Sequence, residues 1–248
     1  MRSRDREENR PPLRLLSVVI PARDEQGCIA STVEHLFVEL RLHGVPHEIV
    51  VVDDASVDWS AGIATEHGAR VLRIDSGPAA NRVLACWMGA RDVLSDWLLF
   101  VHPRAILEPA ALDRVMRFVL DRKAEAVTVF PQQRCLTFWE RVLLPFASQQ
   151  RFAGLPFQRV NRLGDPIAVA SGALLLVKRE AYFRAGGHKD TASDDELASR
   201  LKRAGVVVVA ARGERLGSTR MYRTFAELWA GVGTLHLSGR SILGAVLA

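Results

Sequence analysis

Two adjacent carboxylates, Asp53 and Asp54, follow the apolar run Ile49-Val50-Val51-Val52 and precede the small-residue turn Ala55-Ser56. Carboxylates in that position can serve a bound ligand, because ligands of parallel sheets sit at the carboxyl ends of strands. They can equally serve a turn or cap a helix, since Asp is common in both for local reasons. A second acidic cluster, Ser193-Asp194-Asp195-Glu196, opens a helical pattern that runs through Arg203. Acidic residues in a first helical turn complement the macrodipole, so capping is one reading here too. His188 follows Gly186-Gly187 close to Asp194, where it could contact a ligand. His43 and His47 flank a Gly-Val-Pro turn, a poor frame for two metal ligands, and read as surface histidines.

These groups need elements to position them. A row of four β-branched residues suits a strand buried on both faces. Upstream, Leu15-Leu16-Ser17-Val18-Val19-Ile20 forms a second apolar run, stopped by Pro21-Ala22-Arg23-Asp24-Glu25. Ile29, Val33, Leu36, Phe37 and Leu40 then recur at helical spacing. The order strand, polar turn, helix, strand, acidic turn puts both polar turns at one edge of one sheet. Further strands are expected at 71–74, 97–101 and 127–130, with helices at 81–94 and from a first-turn Pro109 to about residue 121. The alternation implies a three-layer α/β fold around a mostly parallel sheet.

The pattern changes after Pro131. Phe138-Trp139 and Val142-Leu143-Leu144-Pro145-Phe146 are bulky and apolar, as is the stretch 152–157. One reading is a core helix kinked at Pro145. The other is an amphipathic element in a membrane interface or lipid groove. A strand at 168–177, interrupted at Ser171-Gly172, a flexible turn at Ala185-Gly186-Gly187-His188 and a late strand at 206–210 complete the pass.

The chain has 248 residues, 48% of them hydrophobic, which suits one α/β domain with an appendage. All but four of its 33 basic residues are arginine, and the net charge is +5. The arginines are scattered except for Arg2, Arg4, Arg6, Arg10 and Arg14, so nucleic acid is not an expected partner. Residues 1–12 read as a disordered basic tail that could touch an anionic membrane. Three widely spaced cysteines imply reduced thiols and a cytosolic setting. The start lacks the apolar core of a signal peptide. No run reaches the roughly 18 apolar residues of a membrane span, although 241–248 is apolar. The Gly-x-Gly-x-x-Gly of a dinucleotide-binding oxidoreductase is absent after the first strand. The glycine-rich, lysine-bearing opening loop of a nucleotidyltransferase is absent as well.

Taken in order, the segments resemble the family 2 glycosyltransferases of GT-A fold. Ser17-Val18-Val19-Ile20-Pro21-Ala22-Arg23-Asp24-Glu25 is similar to the opening strand and loop, and Val51-Val52-Asp53-Asp54-Ala55-Ser56-Val57-Asp58 to the acidic nucleotide-binding motif. Ala85-Cys86-Trp87-Met88-Gly89-Ala90, Trp97-Leu98-Leu99-Phe100, Ser171-Gly172, Gly186-Gly187-His188 and Asp194 before Leu197 also match. The segment 220–231 is similar to the exit segment of members that glycosylate membrane lipids, in particular hopanoid-associated and carotenoid-type enzymes. The first sixty residues also resemble polyprenyl-phosphate sugar transferases.

The resemblance implies a GT-A domain over 13–222 and a membrane-proximal helical segment over 223–248, working at the cytoplasmic face of the cell membrane. It implies a nucleotide-sugar donor, usually a UDP-sugar, and a lipid or polyprenyl acceptor. Pro21, Ala22, Arg23, Glu25, Asp53, Asp54 and Arg82 would hold the nucleotide sugar. Asp194 would be the general base of an inverting transfer. Ser171, Gly172, His188, Arg223 and Trp229 would lie on the acceptor or diphosphate side.

One motif departs from the family. Asp-x-Asp, which binds Mg²⁺ or Mn²⁺ after the fourth strand, is replaced by His102-Pro103-Arg104. The expectation is therefore a site without a metal, in which His102 and Arg104 join Arg82 around the diphosphate. A further reading lets a cation bind through His102 and another carboxylate, such as Asp75 or Asp194, against the repulsion of Arg104. The alternative is a catalytically inactive domain that keeps the fold as a binding or scaffolding partner. Ala55, where glycine is common, and Ser193, where an acid is common, weigh toward that alternative.

Overall fold

Strands β1 (Leu16–Ala22) and β2 (His47–Asp54) pair in parallel, with Ala22 opposite Asp53, so the two polar turns do share one sheet edge. The structure is a computed structural model and describes residues 15–44, 46–142, 157–162, 164–165, 167–220, 225 and 227. The chain divides into two units, Met1–Gln132 with Phe157–Ser218 and Gln133–Pro156 with Thr219–Ala248.

The first unit is built on an eight-stranded sheet of order β3-β2-β1-β4-β7-β6-β8-β5. Its further strands are β3 (Arg70–Ile74), β4 (Trp97–Val101), β5 (Ala105–Leu107), β6 (Ala126–Gln133), β7 (Leu174–Lys178) and β8 (Val208–Thr219). The block β3-β2-β1-β4 is parallel. β7 runs antiparallel to both β4 and β6, so the sheet is mixed and mostly parallel. Side chains alternate across the sheet. Val18, Ile20 and Val51 enter one core cluster, with α1 (Ile29–His43) and α4 (Ala111–Arg122). Val19, Val50 and Val52 enter another, with α3 (Arg82–Asp92) and α7 (Asp194–Arg203). This is the three-layer α/β arrangement. Helices α2 (Ser60–Glu66), α5 (Phe157–Val160) and α6 (Arg179–Arg184) are short.

Some element boundaries differ from the sequence expectation. Pro109 precedes the N-cap of α4 instead of entering its first turn. Ala110 makes the entry with a left-handed backbone, φ +59°. The strand expected at 168–177 is ordered as β7 only from Leu174, and Ser171-Gly172 forms the turn ahead of it. The late strand is longer than expected, extending to Thr219.

Within the second unit, the buried Glu140 carboxylate gathers the backbone N–H groups of Leu136 and Thr137 at 2.6 and 2.9 Å. It also pairs with Arg220 at 2.9 Å. Residues 138–142 are helical and expose Phe138, Trp139 and Val142, with the Phe225 ring tilted against Trp139 at 5.4 Å between centroids. The expected basic tail, the apolar stretch past Val142, most of 152–157 and most of the membrane-proximal segment lie outside the described residues. Among the described residues no helix is long and apolar enough to cross a membrane.

Candidate active site

Asp54 ends β2 and is 2% exposed. Its Oδ1 accepts the backbone N–H of Ser76 at 2.8 Å. Its Oδ2 accepts the Ser76 hydroxyl at 2.5 Å and the Asn81 N–H at 2.9 Å. The Arg23 guanidinium lies 3.8 Å away. Burial works to raise this carboxyl's pKa, but the Ser76 and Asn81 hydrogen bonds and the Arg23 charge outweigh it and hold the pKa below the ordinary value. Asp54 therefore ties the β1 turn, the loop after β3 and the N-cap of α3 into one edge. Asn81 completes that cap by accepting from the Leu84 N–H at 2.9 Å.

Asp53 behaves differently from its neighbour. A strand turns successive side chains to opposite faces, so Asp53 follows Val51 and Asp54 follows Val52. Asp53 lines a cleft of about 570 Å³ with Ser56, Trp59, Gly62 and Arg73. Among the described residues its buried Oδ1 has no hydrogen-bond partner. Arg73 stands opposite it across β2 and β3 and is exposed. The two aspartates thus face separate surroundings.

The chemically densest cluster joins α3, the turn after α6 and the start of α7. Gly89 lets α3 lie directly on the sheet, since a Cβ there would sit 2.5 Å from Val19 and 2.8 Å from Val52. That close approach carries Arg82, the first residue of α3, to Asp194, the first residue of α7, and the two form an ion pair. His188 Nε2 lies 3.3 Å from the other Asp194 oxygen, and Tyr182 Oη lies 2.9 Å from His188 Nδ1. Both ring side chains are fully buried, while Asp194 keeps 14% of its side chain exposed.

Electrostatics favour one charge state for each member. Burial opposes ionisation of Asp194, but the His188 hydrogen bond and the Arg82 charge hold its pKa well below the ordinary carboxylate range. Burial disfavours the Arg82 charge as well, yet it is more than compensated, by Cys86 only where that thiol is ionised and by the Asp194 carboxylate at neutral pH, and its pKa rises. Burial pushes the Cys86 thiol up to about 12, so it is neutral and unreactive. Burial, against the pull of Asp194, lowers the pKa of His188. With that imidazole neutral, its contact with Asp194 is a hydrogen bond and not an ion pair.

Two glycines make room for this cluster. A Cβ on Gly172 would lie 2.6 Å from Asp194 Oδ2 and 3.1 Å from the Arg82 guanidinium. A Cβ on Gly187, whose φ is +54°, would lie 2.5 Å from the Tyr182 ring and 2.8 Å from Trp87. Gly172 is held by its neighbours. The Ser171 N–H donates to Thr128 Oγ1 at 2.8 Å, and the Ala170 N–H to Asp195 Oδ1 at 2.9 Å.

After β4, His102 N–H bonds the Ala173 carbonyl at 3.0 Å, and His102 Nδ1 accepts the Arg104 N–H at 3.1 Å. Burial first, then the charges of Arg82 and Arg104, lower the His102 pKa to about 4, so the ring is neutral. Arg104 Nε lies 2.9 and 3.1 Å from the two oxygens of Glu25. A guanidinium that already neutralises Glu25 occupies the place of the family's metal carboxylates. Among the described residues no group of three or more His, Cys, Asp or Glu could hold a metal ion. This donor set does not fit Mg²⁺ or Mn²⁺, which take several oxygen ligands.

The structure thus brings Arg23, Asp54 and Arg82 into a line that ends at Asp194 and His188, with Gly172 against it. Pro21 and Ala22 close β1 at the same edge, and Glu25, His102 and Arg104 meet beside it. Arg223 and Trp229 lie outside the described residues. Sequence reasoning missed Ser76, Asn81, Thr128 and Tyr182. Only Asn81 carried a readable signal, as a capping residue ahead of a helical run.

Comparison with known proteins agrees with the motif reading. The family model described as Glycosyl transferase family 2 matches residues 17–184. A 4,4'-diaponeurosporenoate glycosyltransferase of Staphylococcus haemolyticus (strain JCSC1435) is 25% identical over 237 residues, covering 90% of this chain and 61% of its own length. The enzyme of the same name from Staphylococcus aureus (strain USA300) is 25% identical over 184 residues, covering 70% of this chain and 46% of its own length. The chain therefore spans about half to three fifths of these relatives. Among solved structures, glucosyl-3-phosphoglycerate synthase from Mycobacterium tuberculosis, in complex with Mn²⁺, UDP and glucosyl-3-phosphoglycerate, matches with TM-score 0.62 and 22% identity. That match covers 90% of this chain and 77% of the other. A mannosyltransferase from Pyrobaculum calidifontis in complex with GDP-Man and Mn²⁺ matches with TM-score 0.64 and 17% identity, covering 90% of this chain and 61% of the other. These two likenesses establish the GT-A fold.

Proposed function

The chain belongs to glycosyl transferase family 2, and from that premise we propose that it moves a sugar from a UDP-sugar to a lipid or other membrane-associated acceptor. The observation that carries this reading is the continuous line of contacts from Arg23 and Asp54, through Asn81 and Arg82, to Asp194. It joins an edge suited to a nucleotide with a carboxylate suited to an acceptor hydroxyl.

In the proposed reaction the acceptor oxygen attacks the anomeric carbon from the face opposite the leaving diphosphate. Asp194 takes the hydroxyl proton, the bond from carbon to diphosphate oxygen breaks, and configuration inverts. A carboxylate held at low pKa is a weak base. Arg82 resolves this by exchange. On donor binding it leaves Asp194 for the diphosphate, which raises the basicity of Asp194 and neutralises the leaving group in one movement. Arg104 is a second candidate for the phosphates by the same kind of exchange, its charge being balanced by Glu25 until the donor competes for the guanidinium. No step is assigned to a metal.

The lipid acceptor is supported by the curated relatives, which are named for glycosylating 4,4'-diaponeurosporenoate. The exposed Leu136, Phe138, Trp139, Val142 and Phe225 are the residue types that settle at a membrane interface. That surface supports work at a membrane face, and the cytoplasmic side is part of the proposal. Full recovery in the soluble fraction with no binding to anionic liposomes would overturn this part.

Calorimetry of UDP, UDP-glucose and GDP-mannose, with Mn²⁺ and then with EDTA, tests the donor site. UDP binding that survives EDTA is expected. A preference for the GDP-sugar would correct the nucleotide. No binding in any condition would favour a catalytically inactive binding or scaffolding domain.

A further inference from the structure

We infer that Tyr182 and His188 form a buried positioning pair that holds Asp194 by Oδ1 and leaves Oδ2 as the atom that takes the acceptor's proton. The inference deepens the proposed function and rests on the reading of Asp194 as base. Neither ring is exposed, so neither touches a substrate.

Proton accounting leaves one arrangement. Ionised Asp194 can only accept, so the His188 Nε2 facing its Oδ1 at 3.3 Å carries the hydrogen. The neutral ring then presents Nδ1 as an acceptor. Tyr182 has a single hydroxyl proton. Its Oη accepts the His188 backbone N–H at 3.0 Å and donates to Nδ1 at 2.9 Å. Every buried polar atom of the pair is satisfied, and the chain of donors runs from Tyr182 to His188 to Asp194. The reverse tautomer would face an N–H at Nδ1 with the Tyr182 oxygen and leave a lone pair of Nε2 against a carboxylate.

The carbon framework holds that arrangement. Phe100 meets the His188 ring edge-on at 5.0 Å between centroids. Phe183 packs at right angles on Tyr182 at 5.2 Å, and Phe100 lies 5.3 Å from it. Gly187 lets the chain reverse directly over the Tyr182 ring. When Arg82 passes to the diphosphate, His188 remains on Oδ1. Oδ2, freed by Arg82, is also the oxygen that any side chain at position 172 would cover. The acceptor O–H bond breaks and the Oδ2–H bond forms there.

The test uses the full chain labelled with ¹⁵N-histidine at pH 7.5, the His188 signals being assigned by their loss in His188→Gln. The expected spectrum shows a protonated Nε2 and an unprotonated Nδ1, with the Nε2 signal shifted in Asp194→Ala. An Nδ1–H tautomer, or a signal unmoved by Asp194→Ala, overturns the pairing. Kinetics then separate positioning from packing. Tyr182→Phe keeps the ring and is expected to lower kcat for UDP-glucose hydrolysis about tenfold to hundredfold, with KM within about twofold. His188→Gln, which retains an N–H donor, is expected to outperform His188→Leu. Equal rates for those two, or an unimpaired Tyr182→Phe, overturn the role. If no nucleotide sugar is turned over, the reading of Asp194 as base fails, and the tautomer and the Asp194→Ala shift alone decide whether the pair holds that carboxylate.

Discussion

Asp54 and Asp194 are carboxylates at two ends of one line of contacts, and they are held in different ways. Asp54 is satisfied by backbone N–H groups and a hydroxyl, all from loops fixed by the sheet. Asp194 is satisfied by two side chains, Arg82 and His188, brought from α3 and from the turn after α6. The first arrangement has little that can leave without opening the fold. In the second, a charged partner can be exchanged for a ligand. The comparison teaches that two buried carboxylates, both with lowered pKa values, can be held by partners of different kinds, one set built into the sheet edge and the other open to exchange.

The strongest way to break this contrast is to neutralise each carboxylate in turn. Asp194→Asn is expected to lower transfer by about 10²- to 10⁴-fold and also to cost stability, since Arg82 loses its buried partner, while UDP affinity stays near that of the parent. Asp54→Asn puts an amide N–H among groups that all donate, so stability should fall by about 1–3 kcal/mol, with donor binding weakened alongside. Stability measured by urea unfolding, UDP affinity by calorimetry and transfer by UDP release would decide. Equal losses of UDP affinity in both variants would erase the distinction.

Arg104→Ala sharpens the same contrast at the position where the metal motif is missing. Loss of one preorganised charge at the leaving diphosphate should cost about 10²- to 10³-fold in kcat. Activity of the parent should be indifferent to EDTA. Full activity in Arg104→Ala, or activity restored only by Mn²⁺, would remove the argument that arginine serves where carboxylates bind metal elsewhere in the family. Gly187→Ala comes next in size. Its Cβ would enter the space of Tyr182 and Trp87 at a positive φ, so a loss of about 1–3 kcal/mol is expected by thermal or urea unfolding.

What the sequence disclosed follows the same division. The β1 and β2 edge was legible because runs of β-branched residues ending in polar turns mark buried parallel strands. The cap at Ser193 was legible from a helix-start pattern, and its hydroxyl does accept the Glu196 N–H. The direction of β7 was not legible, because residue pattern records burial and not strand polarity. Helix α2 was too short, and too rich in small residues, to show a period. Tyr182 could not be tied to His188, since they lie six positions apart across a helix end and a turn. The pairing of Glu25 with Arg104 spans 79 positions and depends on the β1–β4 register. Gly172 read as an interruption of a strand and, from the resemblance, as an acceptor-side residue, and the pattern could not show that a Cβ there would fall on Asp194 and Arg82.

The narrowest of these tests concerns pH, and it isolates His102 from the carboxylates. His102 has a folded pKa near 4, against an ordinary value of 6.5, because burial and two arginines disfavour its charge. Between those values the unfolded chain binds a proton that the folded chain refuses, so stability falls as pH drops from about 6.5 to about 4. One such histidine contributes a slope of at most about 1.4 kcal/mol per pH unit. His188, also lowered, adds to the slope in the same direction. Asp54 and Asp194 act lower down. Their stabilisation is complete above the ordinary carboxylate pKa near 4 and is lost only as pH falls further toward their depressed folded values. Urea unfolding of His102→Gln at pH 7.5, 6, 5 and 4.5 should therefore show a shallower decline than the parent through the upper window. Its decline below pH 4 should be unchanged, since that part belongs to the carboxylates. An identical slope in parent and variant would mean that His102 is solvated and free to titrate, and the neutral ring beside Arg82 and Arg104 would have to be given up.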